Sequence, residues 1–406
     1  MGRLLFLPFL IIYLFFMSLR PETNAIRIQV DRTPEMEHAV PLFLTSSFCF
    51  DQAEDMRAAF ADETDDNIYS RFSNPNVQEF VDKICALEGA EAGYATASGM
   101  SAVFSSFMAL LRQGDHLLAC NAVFGSTHTV IAKYLSRFGI DYTYVSATAT
   151  EEEWKAAIRP TTKMIYVESP TNPGLEILDI SMLSRLSKEN NIILNVDNCF
   201  ATPACQQPIA LGADLVVHSA TKWIDGQGRV LGGVVVGKKE LIQEIYLFCR
   251  STGPALSPFN AWVLSKSLET LFVRMEKHAA NASYIAQQLE AHPAIAQLRY
   301  PFLPSHPQNA IAQKQMKDGG GIVCFELKGG LDAGKKFLNG LKLLSLTANL
   351  GDTRSIASHP ASTTHAKLSE AERNAVNITP GLIRISVGLE HPDDVLADIL
   401  QALNAS

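Results

Sequence analysis

The first candidate for chemistry is a lysine that follows a short apolar segment. Residues 215–217 are apolar and lead through a few polar residues to Lys222. A charged amine beside a buried strand is costly unless it is paired or neutral. Desolvation can deprotonate such a lysine and make it an imine-forming nucleophile. The alternative is a lysine at a strand end whose amine reaches solvent.

A carboxylate at a comparable position favours the interpretation of Lys222 as a nucleophile. Asp197 ends the mostly apolar segment 192–196, and a carboxylate there could pair with the protonated ring nitrogen of pyridoxal phosphate, which strengthens that cofactor as an electron sink. By itself, Asp197 could equally cap a turn. Because open α/β sheets bind ligands at the carboxyl ends of their strands, Lys222 and Asp197 together indicate a cofactor site.

The phosphate of such a cofactor needs hydrogen-bond donors that bind it. Ser98 is a good N-cap before an apolar helix, and Gly99 lets backbone N–H groups approach an anion at the positive end of that helix. The alternative is an ordinary helix start. Further donors are available in the hydroxyls of Ser219 and Thr221 and in the guanidinium of Arg71, within the segment Tyr69-Ser70-Arg71.

These residues must be positioned by an alternation of helices and strands, which the hydrophobic spacing predicts from residue 41 onward. Apolar runs at 192–196 and 215–217 are typical of strands buried on both faces. The pattern predicts an α/β protein with a mostly parallel sheet covered by helices, then one long helix from about residue 258 to beyond 271, and a second α/β part. The predicted elements are helices at 103–111, 126–138, 151–158 and 180–188 and strands at 115–120, 142–145, 164–167, 322–327 and 383–387.

Composition and charge restrict the class of protein. Hydrophobic residues make up 47% of the 406 residues and charged residues 19%, which is typical of a globular protein with a large core. The net charge of −8 argues against nucleic acid as a partner, because phosphates require a basic surface. The seven cysteines include no C-x-x-C pair and join no histidine cluster, so we expect a reducing compartment and no bound metal.

Two glycine-rich motifs fail to match nucleotide-binding loops. Residues 232–239 read G-x-x-x-x-G-K-K, which lacks the hydroxyl residue of an NTPase loop and has a strand-like interior. Residues 226–228 read G-x-G, but Leu231 stands where the dinucleotide fingerprint requires glycine. Neither motif supports a nucleotide-binding function.

The apolar segment 4–19 has no counterpart in this pattern. It is shorter than the roughly 20 residues that a spanning helix prefers, and Pro8 interrupts it. Three interpretations stay open: an upstream extension before an authentic start at Met17, a secretory signal cleaved after residue 25, and a membrane anchor. We favour the extension and expect a protein that starts at Met17 to be cytoplasmic and fully active.

Several motifs in a consistent order resemble the Cys/Met metabolism family of pyridoxal-phosphate enzymes, which includes cystathionine synthases and lyases, methionine lyases and homoserine-ester sulfhydrylases. The resemblance covers about residues 41–400. It implies the PLP-dependent transferase fold of type I, similar to aspartate aminotransferase, with a smaller C-terminal α/β domain. The motifs are Ser219-Ala220-Thr221-Lys222 with the glycine-rich segment 225–233, Tyr69-Ser70-Arg71, Ser98-Gly99-Met100, residues 168–173 and Val196-Asp197-Asn198.

The resemblance also implies roles for individual residues. Lys222 would bind pyridoxal phosphate covalently and later move protons, while Asp197 would hold the pyridine nitrogen. Asn172 and Arg384 would hold the substrate carboxylate. The implied cofactor-binding residues are Ser98, Gly99, Met100, Phe124, Ser219 and Thr221, joined by Tyr69 and Arg71 from a neighbouring subunit, and Tyr69 is also a candidate catalytic residue.

Three positions depart from the common pattern of the family. Phe124 stands where many members carry a tyrosine, so stacking on the cofactor is kept but an acidic hydroxyl is lost. Asn349 replaces a serine that is common in lyases, and Arg229 replaces a common aspartate. These variants resemble the O-succinylhomoserine sulfhydrylase branch, in which sulfide replaces the γ-ester of homoserine and homocysteine forms. Arg229 would either bind the succinyl carboxylate or brace the glycine-rich loop.

Rival functions use the same residues. A γ-lyase would release a keto acid and ammonia, a cystathionine γ-synthase shares the fold, and an acetyl ester is the alternative substrate. A binding protein without turnover is opposed by the intact Lys222 and Asp197. We expect small-molecule substrates and a homotetramer of two active dimers. The expected division of the chain is a leader at 1–20, an N-terminal arm at 21–75, a PLP-binding domain at 76–262 and a C-terminal domain at 263–406.

Overall fold

The computed structural model describes residues 19–363, 373 and 378–405. The apolar segment 4–19 lies outside the described residues except for Leu19, so its interpretations stay open. Within the described ranges, no helix is long and apolar enough to cross a membrane.

A seven-stranded sheet carries most of the predicted cofactor residues. Its strands are β1 (Ala92–Thr96), β2 (His116–Cys120), β3 (Asp141–Val145), β4 (Thr162–Glu168), β5 (Ile193–Asp197), β6 (Leu215–Ser219) and β7 (Gly233–Gly237). They lie in the order β1-β7-β6-β5-β4-β2-β3, and every neighbouring pair is parallel except the two that β7 forms. The prediction of a mostly parallel sheet is confirmed. The rejected NTPase-like motif at 232–239 contains strand β7.

A second, mostly antiparallel sheet follows in the C-terminal part of the chain. It consists of β8 (Ile295–Arg299), β9 (Ile322–Leu327), β10 (Ser345–Leu346), β11 (Ile356–Ser358) and β12 (Leu382–Ser386). Their order is β10-β11-β12-β9-β8, and only β10 and β11 are parallel. The predicted strands near residues 322–327 and 383–387 are therefore confirmed.

Helices cover both sheets. They are α1 (Pro21–Arg27), α2 (Ala53–Phe60), α3 (Pro75–Glu88), α4 (Gly99–Leu110), α5 (Gly125–Thr129), α6 (Glu151–Ala157), α7 (Ile180–Glu189), α8 (Thr202–Cys205), α9 (Lys239–Thr252), α10 (Pro258–Leu268), α11 (Leu271–Leu289), α12 (Asn309–Gln315), α13 (Gly330–Gly340) and α14 (Pro392–Asn404).

Two predicted helices differ in detail from the structure. The segment 126–138 is helical throughout, but α5 is followed by a π-helical turn (Val130–Tyr134) and a 3₁₀ turn (Leu135–Phe138). The single long helix predicted from residue 258 is two helices, α10 and α11, which are separated at Glu269 and Thr270. At this break Glu269 pairs with the buried amine of Lys83 at 3.3 Å, a contact with a distant segment that local periodicity does not show.

The buried apolar side chains form two clusters. The larger cluster surrounds the seven-stranded sheet, and the smaller one lies between the second sheet and helices α11, α13 and α14. The predicted domain boundary between residues 262 and 263 falls inside α10. The division of the chain into an arm and two domains stays a prediction.

Candidate active site

Three neighbouring strands end in polar residues at one edge of the larger sheet. β4 ends at Glu168, β5 at Asp197 and β6 at Ser219, and the three strands are parallel. Lys222 follows in a turn where its backbone N–H donates to the Ser219 carbonyl at 3.1 Å. The residues predicted for the cofactor are thus brought to the edge where open α/β sheets bind their ligands.

The Lys222 amine is hydrogen-bonded within the protein. Its Nζ donates to Oδ1 of Asn349 at 2.6 Å. Burial lowers the pKa of this amine, and the nearby guanidinium of Arg384 lowers it as well, because a second positive charge disfavours protonation. More of the amine is therefore neutral at a given pH, and the neutral amine is the nucleophilic form.

Asp197 carries a half-buried carboxylate that accepts hydrogen bonds from two donors. The backbone N–H of Cys199 donates to Oδ1 at 2.9 Å, and the hydroxyl of Tyr166 donates to Oδ2 at 3.2 Å. Burial raises the pKa of Asp197, while both donors favour its ionised form. Within the described residues, no lysine or arginine forms an ion pair with Asp197. A protonated ring nitrogen would supply that missing positive charge.

The N-terminus of α4 packs directly against the end of β6. Ser98 caps the helix through its side chain, which confirms the predicted N-cap. A Cβ atom on Gly99 would lie 2.6 Å from Cβ of Ser219, so only glycine permits this approach. Thr221 accepts a hydrogen bond from the Gly232 N–H at 3.1 Å. Backbone N–H groups and two hydroxyls meet here, which suits a phosphate.

Phe124 and Met100 lie on adjoining segments. The Phe124 side chain is 43% exposed, and its backbone N–H donates to Oε1 of Glu168 at 2.6 Å. The Met100 sulfur accepts a hydrogen bond from the Thr127 hydroxyl at 3.7 Å, one turn of α5 beyond Phe124. The predicted stacking residue is therefore tied by its backbone to the end of β4.

Arg384 brings the second sheet into the site. It lies on β12 with only 6% of its surface exposed, and its guanidinium donates to Oδ1 of Asn172 at 3.0 Å and to the Asn349 carbonyl at 3.1 Å. Asn349 therefore contacts both Arg384 and Lys222. A planar cation beside an amide is suited to a carboxylate, and both predicted carboxylate ligands lie together.

Tyr69 and Arg71 have other neighbours in this chain. The Arg71 guanidinium donates to the backbone carbonyl of Arg250 near the end of α9 and lies 4.7 Å from the Phe72 ring centre, while Tyr69 is 41% exposed. Within the described chain, neither side chain hydrogen-bonds to Lys222 or Asp197. That they bind the cofactor of a neighbouring subunit stays a prediction.

Arg229 is held inside the glycine-rich loop. Its backbone N–H and Nε donate to the two carboxylate oxygens of Asp225 at 2.6 and 3.0 Å, and its Nη2 also contacts the Ser267 hydroxyl on α10. Asp225 is fully buried. These contacts favour the brace over the alternative that Arg229 binds the substrate, which stays a prediction.

A cofactor of the pyridoxal-phosphate type fits this arrangement. Three features surround one place on the sheet edge: an amine whose pKa burial lowers, a half-buried carboxylate that no lysine or arginine of the described residues pairs with, and a helix N-terminus with hydroxyls. Sequence reasoning assigned no role to three residues there, namely Glu168, Cys199 and Tyr166, although Glu168 begins the motif at 168–173. Glu168 could have been found, because it ends a buried strand in the same way as Asp197.

The chain belongs to the family of Cys/Met metabolism PLP-dependent enzymes, whose family model matches residues 22–404. This match confirms the predicted family and the pyridoxal-phosphate cofactor.

Individual relatives and a solved structure agree with this family assignment. The chain is 49% identical over 386 residues to an O-succinylhomoserine sulfhydrylase of Pseudomonas aeruginosa, a match that covers 95% of both proteins. It is 45% identical to an L-methionine gamma-lyase of Fusobacterium nucleatum over 90% of this chain and 93% of that protein. A crystal structure of a Campylobacter jejuni protein that carries N′-pyridoxyl-lysine-5′-monophosphate has a TM-score of 0.91 and 32% identity, covering 95% of this chain and all of that one. The predicted fold of type I is confirmed.

Proposed function

We propose that the protein is an O-succinylhomoserine sulfhydrylase, which replaces the γ-succinyl ester of homoserine by sulfide and forms homocysteine and succinate. The observation that carries the proposal is the hydrogen-bonded series Lys222–Asn349–Arg384 at the sheet edge. It places a proton-transferring amine beside a carboxylate-binding cation, as chemistry at the α-carbon of an amino acid requires. The sulfhydrylase relative at 49% identity supports this particular reaction.

Each residue has a defined task in this proposal. When bound, pyridoxal phosphate supplies the electron sink for chemistry on the amino acid. Arg384 and Asn172 orient the substrate carboxylate, and Nζ of Lys222 holds the cofactor and then carries protons. Asp197 keeps the ring nitrogen protonated. Phe124 offers an aromatic face without a hydroxyl, so no acid stands at that position.

The assembly and the compartment belong to the same proposal. The chain acts on small molecules as a homotetramer of two active dimers, in which Tyr69 and Arg71 complete a neighbouring site. The 41% exposure of Tyr69 supports this role, because an aromatic side chain at the surface is available to a partner. A cytoplasmic location accords with seven unpaired cysteines in the described residues.

A product assay tests the reaction. The purified protein is given the acetyl or the succinyl ester of homoserine, each with and without sulfide, and homocysteine and ammonia are measured. We expect homocysteine from the succinyl ester only when sulfide is present. The lyase relative makes γ-elimination the second candidate, and ammonia release without sulfide at the same rate would establish it instead.

Replacing Arg229 by alanine separates its two proposed roles. Because Arg229 pairs with a fully buried carboxylate, we expect kcat/KM to fall equally for both esters and the free energy of unfolding to fall by roughly 1–3 kcal/mol. Arg185→Ala is the matched control, since Arg185 and its partner Glu151 are 53% and 41% exposed and the loss of an exposed ion pair should leave the free energy of unfolding nearly unchanged. A loss confined to the succinyl ester would instead assign Arg229 to the substrate.

A further inference from the structure

The end of β4 carries a buried carboxyl that the proposed function does not use. Glu168 is 5% exposed and is the direct neighbour of Asp197, because the two residues pair in the parallel ladder of β4 and β5. Its Oε1 accepts the backbone N–H of Phe124 at 2.6 Å. Glu168 therefore links the carboxylate that would face the ring nitrogen to the aromatic residue that would cover the ring.

The donors around the two carboxyls are unequal. Within the described residues, Asp197 accepts hydrogen bonds from the Cys199 N–H and the Tyr166 hydroxyl, whereas Glu168 accepts one, from Phe124. A buried and a half-buried carboxylate side by side repel each other, so the environment separates their proton affinities. Burial, followed by the charge of Asp197, raises the pKa of Glu168 well above its ordinary value. The single negative charge therefore belongs on Asp197.

Phe124 stands at the start of a short helical segment. Phe124 precedes α5, which spans only the five residues Gly125–Thr129 before the helical pitch changes to a π turn. A short helix of this kind has little stability of its own. The hydrogen bond to Glu168 joins this segment to the rigid central sheet, close to where the cofactor residues meet.

We propose that Glu168 is a positioning residue: as a neutral acid it holds the Phe124 N–H, so that the Phe124 ring keeps a fixed orientation over the cofactor while Asp197 alone carries the charge. The inference depends on the proposed function only in that pyridoxal phosphate binds at this site.

The test compares two substitutions by their effect on the bound cofactor. Glu168→Gln keeps a neutral side chain of the same shape with an oxygen that can accept the Phe124 N–H, whereas Glu168→Ala removes the acceptor. We measure the dissociation constant of pyridoxal phosphate and the circular dichroism of its visible band, which reports the asymmetry around the ring. We expect the glutamine variant to stay within about two-fold of wild type, and the alanine variant to bind about ten-fold more weakly with a changed band.

A double-mutant cycle with Phe124→Ala shows whether Glu168 acts through the ring. In the Phe124→Ala background, Glu168→Ala should change neither the affinity nor the visible band further, because the ring that it positions is gone. Far-ultraviolet circular dichroism checks that all variants are folded. A glutamine variant as weak as the alanine variant would show that a charged Glu168 is needed, and additive effects in the cycle would show that it acts elsewhere. Either result overturns the proposal. No ester or sulfide enters these measurements, so a wrong choice of reaction does not affect them.

Discussion

The Lys222→Ala variant is expected to lose the visible absorbance of lysine-linked pyridoxal phosphate and essentially all turnover. The amine is both the attachment point and the group that moves protons, and a missing proton-transfer group alone reduces rates by about 10²–10⁴-fold. The only hydrogen bond lost within the described residues is the one to Asn349, so the fold should persist. Absorbance spectra and the homocysteine assay check this result.

Lys222→Arg is the matched control for charge. An arginine keeps the cation and can still reach an amide oxygen, but it does not deprotonate in proteins. It should be as inactive as the alanine variant, because the neutral amine rather than the positive charge is required. Activity near that of wild type in either variant would contradict the role of Lys222.

Asp197→Asn should produce the second large loss. The asparagine keeps an acceptor for the Cys199 N–H and a similar shape, but it has no negative charge to hold a protonated ring nitrogen. We expect pyridoxal phosphate to remain partly bound while kcat falls by at least roughly 10²–10³-fold, the size of effect seen when one electrostatic contact to a reacting group is removed. Steady-state kinetics at saturating cofactor measure this effect.

Two comparisons make this prediction specific. Asp197→Ala should lose as much activity and also some stability, since it leaves two donors unsatisfied at a cost of about 1–3 kcal/mol each. Tyr166→Phe removes one donor to the carboxylate and should change kcat only modestly. An unchanged kcat in Asp197→Asn would contradict the proposal that this residue holds the ring nitrogen.

Much of the site could be predicted from the hydrophobic pattern of single segments of the sequence. The mostly apolar segments before Asp197 and before Lys222, which lack polar alternation, predicted strands buried on both faces, and β5 and β6 lie there. Once both strands are parallel neighbours, their carboxyl ends must meet. The N-cap at Ser98 was equally local, because its hydrogen bond spans only three residues.

Contacts between distant segments could not be predicted from such local patterns. The hydrogen bond from Phe124 to Glu168 spans 44 residues, and the bond from Lys222 to Asn349 spans 127. The pairing of Arg229 with Asp225 lies within one loop, yet the same arginine could have pointed outward, because a side chain on a glycine-rich loop has no periodicity that sets its direction. At the break between α10 and α11, Glu269 contacts Lys83, which is far away in the chain.

Among the described residues, the buried guanidinium of Arg384 is hydrogen-bonded only to neutral groups. It contacts an amide oxygen of Asn172 and a carbonyl of Asn349, its Nε has no acceptor, and no carboxylate pairs with it in the described part of the chain. Burial lowers the pKa of this side chain, a sign that a cation without a counter-ion is costly there. A small carboxylate that enters supplies the missing charge, so binding and folding are thermodynamically linked. We therefore expect the amino-acid substrate, and even a simple carboxylate buffer, to stabilise the folded protein.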